Sequence, residues 1–394
     1  ENHVPDVVTI SSCLKACGNI GTIGKGQEIH MAIPPELLAK NPSIGNSLIS
    51  MYAKCGSIWK AREVFEKLPV QDGVAWSSMI KGYGMNHEGS IAIQYFHDMH
   101  TRGVQADEVT FICLLNACGH ASMVLEGQTY FKAMRETYGI LPNVEHFTCM
   151  VDLLARSGHV YEAETFLERM CPSTIEIWSS LLSACKTQGE VELGFRCFQN
   201  LVQMKPQDAS WYVIMSDIYT GAGMLQEAKR IEHLRKYVGA KKKPAIASIE
   251  VNNELHEFIM GEDGNEQPAT IEQIIGSRVK DEGYVPNLDL VLKPLSDLDK
   301  EAAICQHAEK LAIAFGLLNT PQGETLRVTK NLRMCNDCHD TGKFVSQIEK
   351  REIILRDDCC IHHFKSNNST LIVLFFSFEK AGNILSILVL ASPM

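Results

Sequence analysis

The stretch Asn46–Gly56, NSLISMYAKCG, decides the fold because its pattern returns along the chain. Asn46-Ser47-Leu48-Ile49-Ser50-Met51 is echoed by Ser77-Ser78-Met79-Ile80-Lys81-Gly82 and by Ser179-Ser180-Leu181-Leu182-Ser183-Ala184. Aligning these phrases gives units starting at Val7, Pro42, Gly73, Glu108, Val144, Ile175 and Ala209; subtracting successive starts gives lengths of 35, 31, 35, 36, 31 and 34 residues. The eighth position reads Leu14, Ile49, Ile80, Leu115, Val151, Leu182 and Ser216, and the twentieth reads Gly26, Ala61, Ala92, Gly127, Ala163, Gly194 and Ala228. An apolar eighth residue supplies a core face, and a small twentieth residue lets two helices approach closely. Helix-breaking glycines such as Gly56, Gly158, Gly189 and Gly223 separate the halves. Each unit therefore reads as a helix–turn–helix hairpin that cannot bury its own apolar face. Stacking the hairpins makes one continuous core and a right-handed α-solenoid with a long concave surface.

The chain has 394 residues, enough for two or more compact units, and its 45% hydrophobic and 21% charged content is that of a folded protein. A net charge of -10 argues against a protein that coats phosphate non-specifically. It leaves room for a groove that reads bases with polar side chains. The 14 cysteines sit mostly in apolar runs, as at Cys13 and Cys118, which suits buried thiols in a reducing compartment better than a disulfide framework. The chain begins at Glu1 rather than Met, so an upstream segment carrying any targeting peptide is expected. No segment reaches the ~20 apolar residues that span a bilayer, and no membrane partner is expected.

Lys241-Lys242-Lys243-Pro244 ends the helical repetition. Beyond it, Ala247–Asn253 alternates as a strand, and residues 255–282 mix a short strand with a helix at Ala269–Lys280. Gly283-Tyr284-Val285-Pro286 is a loop. From Leu295 one helix is expected to carry Glu301, Cys305 and His307 into the apolar run Leu311–Leu318. Arg327–Lys330 and Glu352–Arg356 read as strands around a helix beginning near Cys335. Helices alternating with strands imply a small α/β layered domain, distinct from the solenoid.

That domain holds the chemistry. A lone Cys-x-x-Cys is a weak signal, and a lone His-x-Glu is weaker still. Here His307-Ala308-Glu309 is followed by Cys335-Asn336-Asp337-Cys338, the order of the zinc-dependent deaminases of nucleosides and nucleic acids. His307, Cys335 and Cys338 are the candidate Zn²⁺ ligands, with water in the open fourth position. The metal lowers the pKa of that water towards ~7, and Glu309 is the candidate proton shuttle between water, ring nitrogen and leaving amine. Residues i and i+2 diverge around a helix, so His307 and Glu309 can converge only near a helix end. Cys335 and Cys338 should likewise open a helix, where amide dipoles favour thiolates. Met334 stands where the broader signature has proline.

The alternating repeat lengths, with Asn46–Gly56 and Glu145–Leu154 (EHFTCMVDLL), resemble the plant pentatricopeptide repeat family of the mixed-length subclass. The last two units resemble its degenerate extension motifs. Glu309–Leu318 (EKLAIAFGLL), Lys330–His339 (KNLRMCNDCH), Arg356-Asp357 and His362-His363-Phe364 resemble the DYW deaminase domain of plant organellar editing factors. The resemblance implies a pentatricopeptide array over 1–174, extension repeats over 175–242, and a cytidine-deaminase-like zinc domain over 243–365. Residues 366–394 read as an aberrant apolar tail. It further implies that single-stranded organellar RNA is bound at one base per repeat, in mitochondrion or chloroplast, with other editing factors as possible partners and no cofactor beyond zinc.

In that family the fifth and last residues of a repeat face the base edge. Carried over, the pairs are Ser11 with Asn41, Asn46 with Asp72, and Ser77 with Asp107, the second suiting uracil and the third guanine. Ile112 in the fifth position of the Glu108 unit cannot hydrogen-bond a base. Thr148, paired with Thr174, is off-pattern and is assigned none. The resemblance also implies a second, structural zinc held by His339, one of His362 and His363, and a C-terminal Cys-x-Cys. This chain reads Ser366-Asn367-Asn368-Ser369-Thr370 there, leaving that set incomplete. Two further departures are Pro244-Ala245-Ile246-Ala247-Ser248 for the family's Pro-Gly and Cys-Ser-Trp, and Cys360-Ile361 for its Arg-Phe. Three readings follow: an editing deaminase guided by its repeats, an inactive specificity factor that recruits a partner deaminase, and a protein-binding helical scaffold. The strict 34-residue period of peptide-binding repeats does not fit the lengths found here.

Overall fold

A computed structural model describes residues 5–168, 174–241, 243–259, 283–288, 296–357 and 360–365. The expected helix Ala269–Lys280 and the tail 366–394 lie outside the described residues.

Every unit start read from the sequence is a helix start. Leading helices run over α1 (Val7–Ile20), α4 (Pro42–Lys54), α6 (Gly73–Met85), α8 (Glu108–His120), α10 (Val144–Arg156), α12 (Ile175–Gln188) and α14 (Ala209–Gly221). Their partners are α2 (Ile23–Ala32), α5 (Ile58–Lys67), α7 (Gly89–Thr101), α9 (Val124–Glu136), α11 (Val160–Glu168), α13 (Val191–Met204) and α15 (Leu225–Val238). One extra short helix, α3 (Pro35–Lys40), lies between α2 and α4. Pro35 opens it at a position where a missing N–H costs nothing.

Successive leading helices pack on one another and on their own partners. Leu14, Ile49, Ile80, Leu115, Val151 and Leu182 are fully buried, as are Ala61, Ala92 and Ala163 at the small position. Ser216 is half-buried and turns its hydroxyl to the Ala228 carbonyl. The hairpins bury their apolar faces in two core clusters that meet at α10, with Met150 and Leu153 in one and Val151 and Leu154 in the other. Among the described residues no helix is long and apolar enough to cross a membrane.

The C-terminal region forms a five-stranded sheet in the order β2-β1-β3-β4-β5, from β1 (Ile246–Val251), β2 (Glu254–Ile259), β3 (Leu326–Lys330), β4 (Ile353–Arg356) and β5 (Ile361–Phe364). Only β3 and β4 run parallel, joined through helix α18 (Asn336–Ile348), as a parallel pair requires. Helix α17 (Ala308–Asn319) packs on β1, β2 and β3. The single helix expected from Leu295 is in fact two. A separate α16 (Asp297–Cys305) ends before His307, which takes extended backbone and starts α17.

This domain docks on the turns that join the paired helices of the first repeats. Arg356 donates from its guanidinium to the Gly18, Asn19 and Lys54 carbonyls, at the ends of α1 and α4. Glu250 accepts from the Gly24 and Lys25 N–H groups at 2.9 and 3.3 Å, at the start of α2. A cation at helix C-termini and an anion at an N-terminus both complement the backbone dipoles. Gly56, at φ +71°, completes the fit: a Cβ there would lie 2.6 Å from the Ile354 side chain.

Candidate functional site

The two halves of the deaminase motif sit at the beginnings of two helices. His307 is the N-cap of α17 and Glu309 lies in its first turn, so the change of backbone direction lets both side chains face one point. Cys335 is the N-cap of α18, and its Sγ accepts the Cys338 N–H at 3.4 Å. His307 Nδ1 lies 3.2 Å from Cys338 Sγ and 3.5 Å from Cys335 Sγ. Tetrahedral zinc bonds of ~2.0–2.3 Å place neighbouring N and S donors about 3.6 Å apart, so the three donors are spaced to share one ion. Their donor atoms and a Glu309 oxygen all lie within 4.8 Å of one another.

Glu309 is completely buried. One carboxylate oxygen pairs with the Lys330 ammonium, while Oε2 is buried with no hydrogen-bond partner among the described residues. Burial pushes the carboxyl up, but the Lys330 ammonium outweighs it and holds the group below the usual glutamate range. An ionised carboxylate with one oxygen unpartnered, in one cluster with a nitrogen and two sulfurs, fits a site that accepts a metal and a water. The Cys335 thiol is lowered to about 4, chiefly by its hydrogen bond with Cys338 and then, against burial, by His307.

Residue-by-residue reasoning from the sequence missed what locks the two helices together. Lys310, next to Glu309, pairs with Asp337 at 2.6 Å, each side chain only 1% exposed. Tyr284 donates to Asp337 Oδ1 at 2.8 Å and accepts from Lys310 at 2.9 Å, and the Asn287 N–H reaches the same carboxylate at 2.9 Å. Lys330 was also missed. The available signal was a set of charged residues inside the phrases Glu309–Leu318, Lys330–His339 and Cys335–Cys338, beside residues already assigned to the metal.

The three histidines assigned to a second metal do not converge. His339 and His362 stack edge to face with centroids 5.4 Å apart, but His363 turns away and its Nε2 meets Asn86 Oδ1 of the solenoid at 2.8 Å. His362 Nε2 lies instead 3.4 Å from Cys360 Sγ and 3.4 Å from Asp357 Oδ2. Burial lowers the His339 imidazole to about 4.

Along the solenoid, the last residue of a unit is the N-cap of the next leading helix. Asp72 accepts the Ala75 N–H, and Asp107 accepts the Thr110 N–H, each at 2.8 Å. Asn46 Nδ2 lies 3.3 Å from Asp72 Oδ1, so this candidate pair is in contact. Ser77 is buried and shares a 3.0 Å hydrogen bond with Thr110 Oγ1, which in turn donates to Asp107. Ser11 Oγ is buried without a partner among the described residues. The Asn41 amide donates to the Leu37 carbonyl, and the Thr148 hydroxyl to Val144.

Comparison with known families agrees with this organisation. The DYW family of nucleic acid deaminases matches residues 283–371, and the E motif matches 188–250. The PPR repeat family matches 71–120, and the PPR repeat matches 46–71, 109–137 and 145–171. A pentatricopeptide repeat-containing protein of Arabidopsis thaliana is 40% identical over 374 residues, 93% of this chain and 54% of that protein. ELI1, a chloroplastic pentatricopeptide repeat-containing protein of the same plant, is 38% identical over 365 residues, 91% of this chain and 58% of its own length. The chain thus spans about half the length of the curated relatives it matches. The solenoid is similar in fold to the pentatricopeptide repeat protein PPR10 crystallised with an 18-nt psaJ RNA element, with a TM-score of 0.51 at 18% identity over 61% of this chain and 36% of that one. The chain carries pentatricopeptide repeats followed by an E motif and a DYW-type nucleic acid deaminase domain, and it is similar throughout to plant pentatricopeptide repeat-containing proteins.

Proposed function

We propose that this chain binds single-stranded RNA along its repeats and converts a chosen cytidine to uridine in an organellar transcript. The observation that carries the reading is the buried Glu309 carboxylate, which keeps one oxygen unpartnered and brings an oxygen within 4.8 Å of the His307–Cys335–Cys338 donors. A zinc ion held by those three residues would supply Lewis acidity to an attacking water. Glu309, ionised beside Lys330, is placed to carry both protons of that water in turn, the first to the ring nitrogen and the second to the departing amine, which leaves as ammonia while the oxygen stays on the ring carbon. Base choice falls to the repeats. Asn46 with Asp72 and Ser77 with Asp107 are the pairs assigned to uracil and guanine, and Ser11, Asn41 and Thr148 are the remaining candidates. The domain limits 1–174, 175–242 and 243–365 frame this division of labour. Relatives named chloroplastic support an organellar address. A second reading, a specificity factor without activity of its own, is favoured only by the missing C-terminal Cys-x-Cys. The test is Glu309→Ala in an RNA conversion assay read by sequencing: conversion should vanish while RNA binding persists. Unchanged conversion overturns the catalytic assignment, and no conversion by the unaltered zinc-loaded chain favours the second reading.

A further inference from the structure

Where β4 ends and β5 begins, three donor-bearing side chains meet. Asp357 and Cys360 are buried, and the His362 imidazole lies between them, 3.4 Å from the carboxylate and 3.4 Å from the sulfur. One donor atom from each lies within 4.8 Å of both others. A tetrahedral zinc places neighbouring N, O and S donors roughly 3.4–3.6 Å apart, so these separations are those of ligands sharing an ion. Asp357 is held in place by the Met334 N–H at 3.0 Å and the Cys360 N–H at 2.9 Å, which fixes the carboxylate as second-layer hydrogen bonds fix a ligand. The His339 ring stands edge-on to His362, and the His87 ring of the solenoid lies 6.1 Å from it on another side.

The family resemblance would draw two of these ligands from a Cys-x-Cys beyond Lys365. Residues 366–394 contain no cysteine and no histidine, so the tail cannot furnish them. Cys360 stands where the family carries arginine, bringing a thiolate into the same pocket from inside the domain. We propose that Asp357, Cys360 and His362 hold a second zinc ion, independent of the His307–Cys335–Cys338 set, in place of the ligand pair this chain lacks. The mixed carboxylate, thiolate and imidazole set suits zinc. The ion would hold the end of β4 to the start of β5.

The test is the zinc content of the full chain by mass spectrometry after exhaustive dialysis. The unaltered protein should carry two zinc ions, Cys360→Ala and His362→Ala one, and Cys360→His two. Cys335→Ala should also carry one, which separates this site from the deaminase centre. Cys359→Ala should keep both ions. One ion in the unaltered protein, or two in Cys360→Ala, overturns the proposal, as does loss in Cys359→Ala alone. A cobalt titration of the unaltered chain needs no variant to fold. Thiolate-to-cobalt absorbance should correspond to three sulfurs across two sites, and two sulfurs on one site would overturn the proposal. Neither readout depends on deaminase activity, so failure here leaves the catalytic reading standing.

Discussion

Removal of Lys310 tests a fully buried ion pair that joins the two helices of the candidate site. Lys310 and Asp337 lie 2.6 Å apart, each side chain 1% exposed, on the two helices that present the metal-site residues. Burial works against the lysine's charge, but Cys338 and the hydrogen bonds it donates to Asp337 and Tyr284 hold its pKa above the ordinary lysine value. Lys310→Met would keep the bulk and strand the Asp337 carboxylate with only Tyr284 and the Asn287 N–H for company. Leaving one charge of a buried pair uncompensated costs about 3–5 kcal/mol. At about 3–5 °C per kcal/mol for a domain of this size, melting should fall by roughly 10–20 °C. Asp337→Leu should cost a similar amount, because it strands the lysine. The double variant should cost far less than the sum, since replacing both charges by apolar groups is often near neutral. Calorimetry of the full chain can follow the transition that shifts when zinc is chelated, which identifies the α/β domain. A Lys310→Met shift below about 3 °C, or additivity in the double variant, would refute the coupling on which this calculation rests.

The solenoid and the acid limb offer two more tests. A Cβ at Gly84 would lie 2.7 Å from Ala117 Cβ and 2.8 Å from Ala117 Cα, so Gly84→Ala must push α6 from α8; overpacking of this kind costs about 1–3 kcal/mol, more than the ~1 kcal/mol of added helix propensity, and a lower urea midpoint is expected. Glu352 is lowered to about 2 by its hydrogen bond with His363 and by Lys365. A depressed carboxylate stabilises above its unfolded pKa of about 4.3 and loses that contribution as pH falls towards 2. Glu352→Gln should therefore melt earlier at pH 6, with the difference closing below about pH 4; a gap that persists at pH 2 would contradict the assignment.

The repeat array was legible because its signal is periodic: seven unit starts, all with a small twentieth residue and six with an apolar eighth, coincide with seven helix starts. The extra α3 has no counterpart in the other units, so the period gave no cue to it. In the α/β domain, the apolar run 311–318 looked continuous with the segment before it, which concealed the break at His307. That break is what turns His307 and Glu309 to one point. Strand β5 was hidden because Ile361–Phe364 places two histidines between its apolar ends. The metal donors were readable from spacing, whereas the Lys310–Asp337 and Lys330–Glu309 pairs depend on which side chains the fold brings together from 27 and 21 residues away. The base-facing candidates illustrate the same gap. A residue at the end of a unit is both a possible reader of RNA and the cap of the next helix, and sequence shows only the polarity that both require.

The grip of Arg356 and Glu250 on the first repeats carries a consequence for the length of the molecule. The polypeptide leaves the seventh unit at Val238 and returns, through the sheet, to carbonyls at Gly18, Asn19 and Lys54. Solenoid and enzyme-like domain therefore form a closed circuit. Each hairpin contributes a small rotation and rise, and these must sum to a value that returns the sheet to its landing turns. Surface sequence can drift freely around such a circuit, but the count of hairpins inside it cannot. One unit more or fewer between Lys54 and Val238 would swing the landing turns away from the arginine, and closure would be lost even with every residue of the site intact.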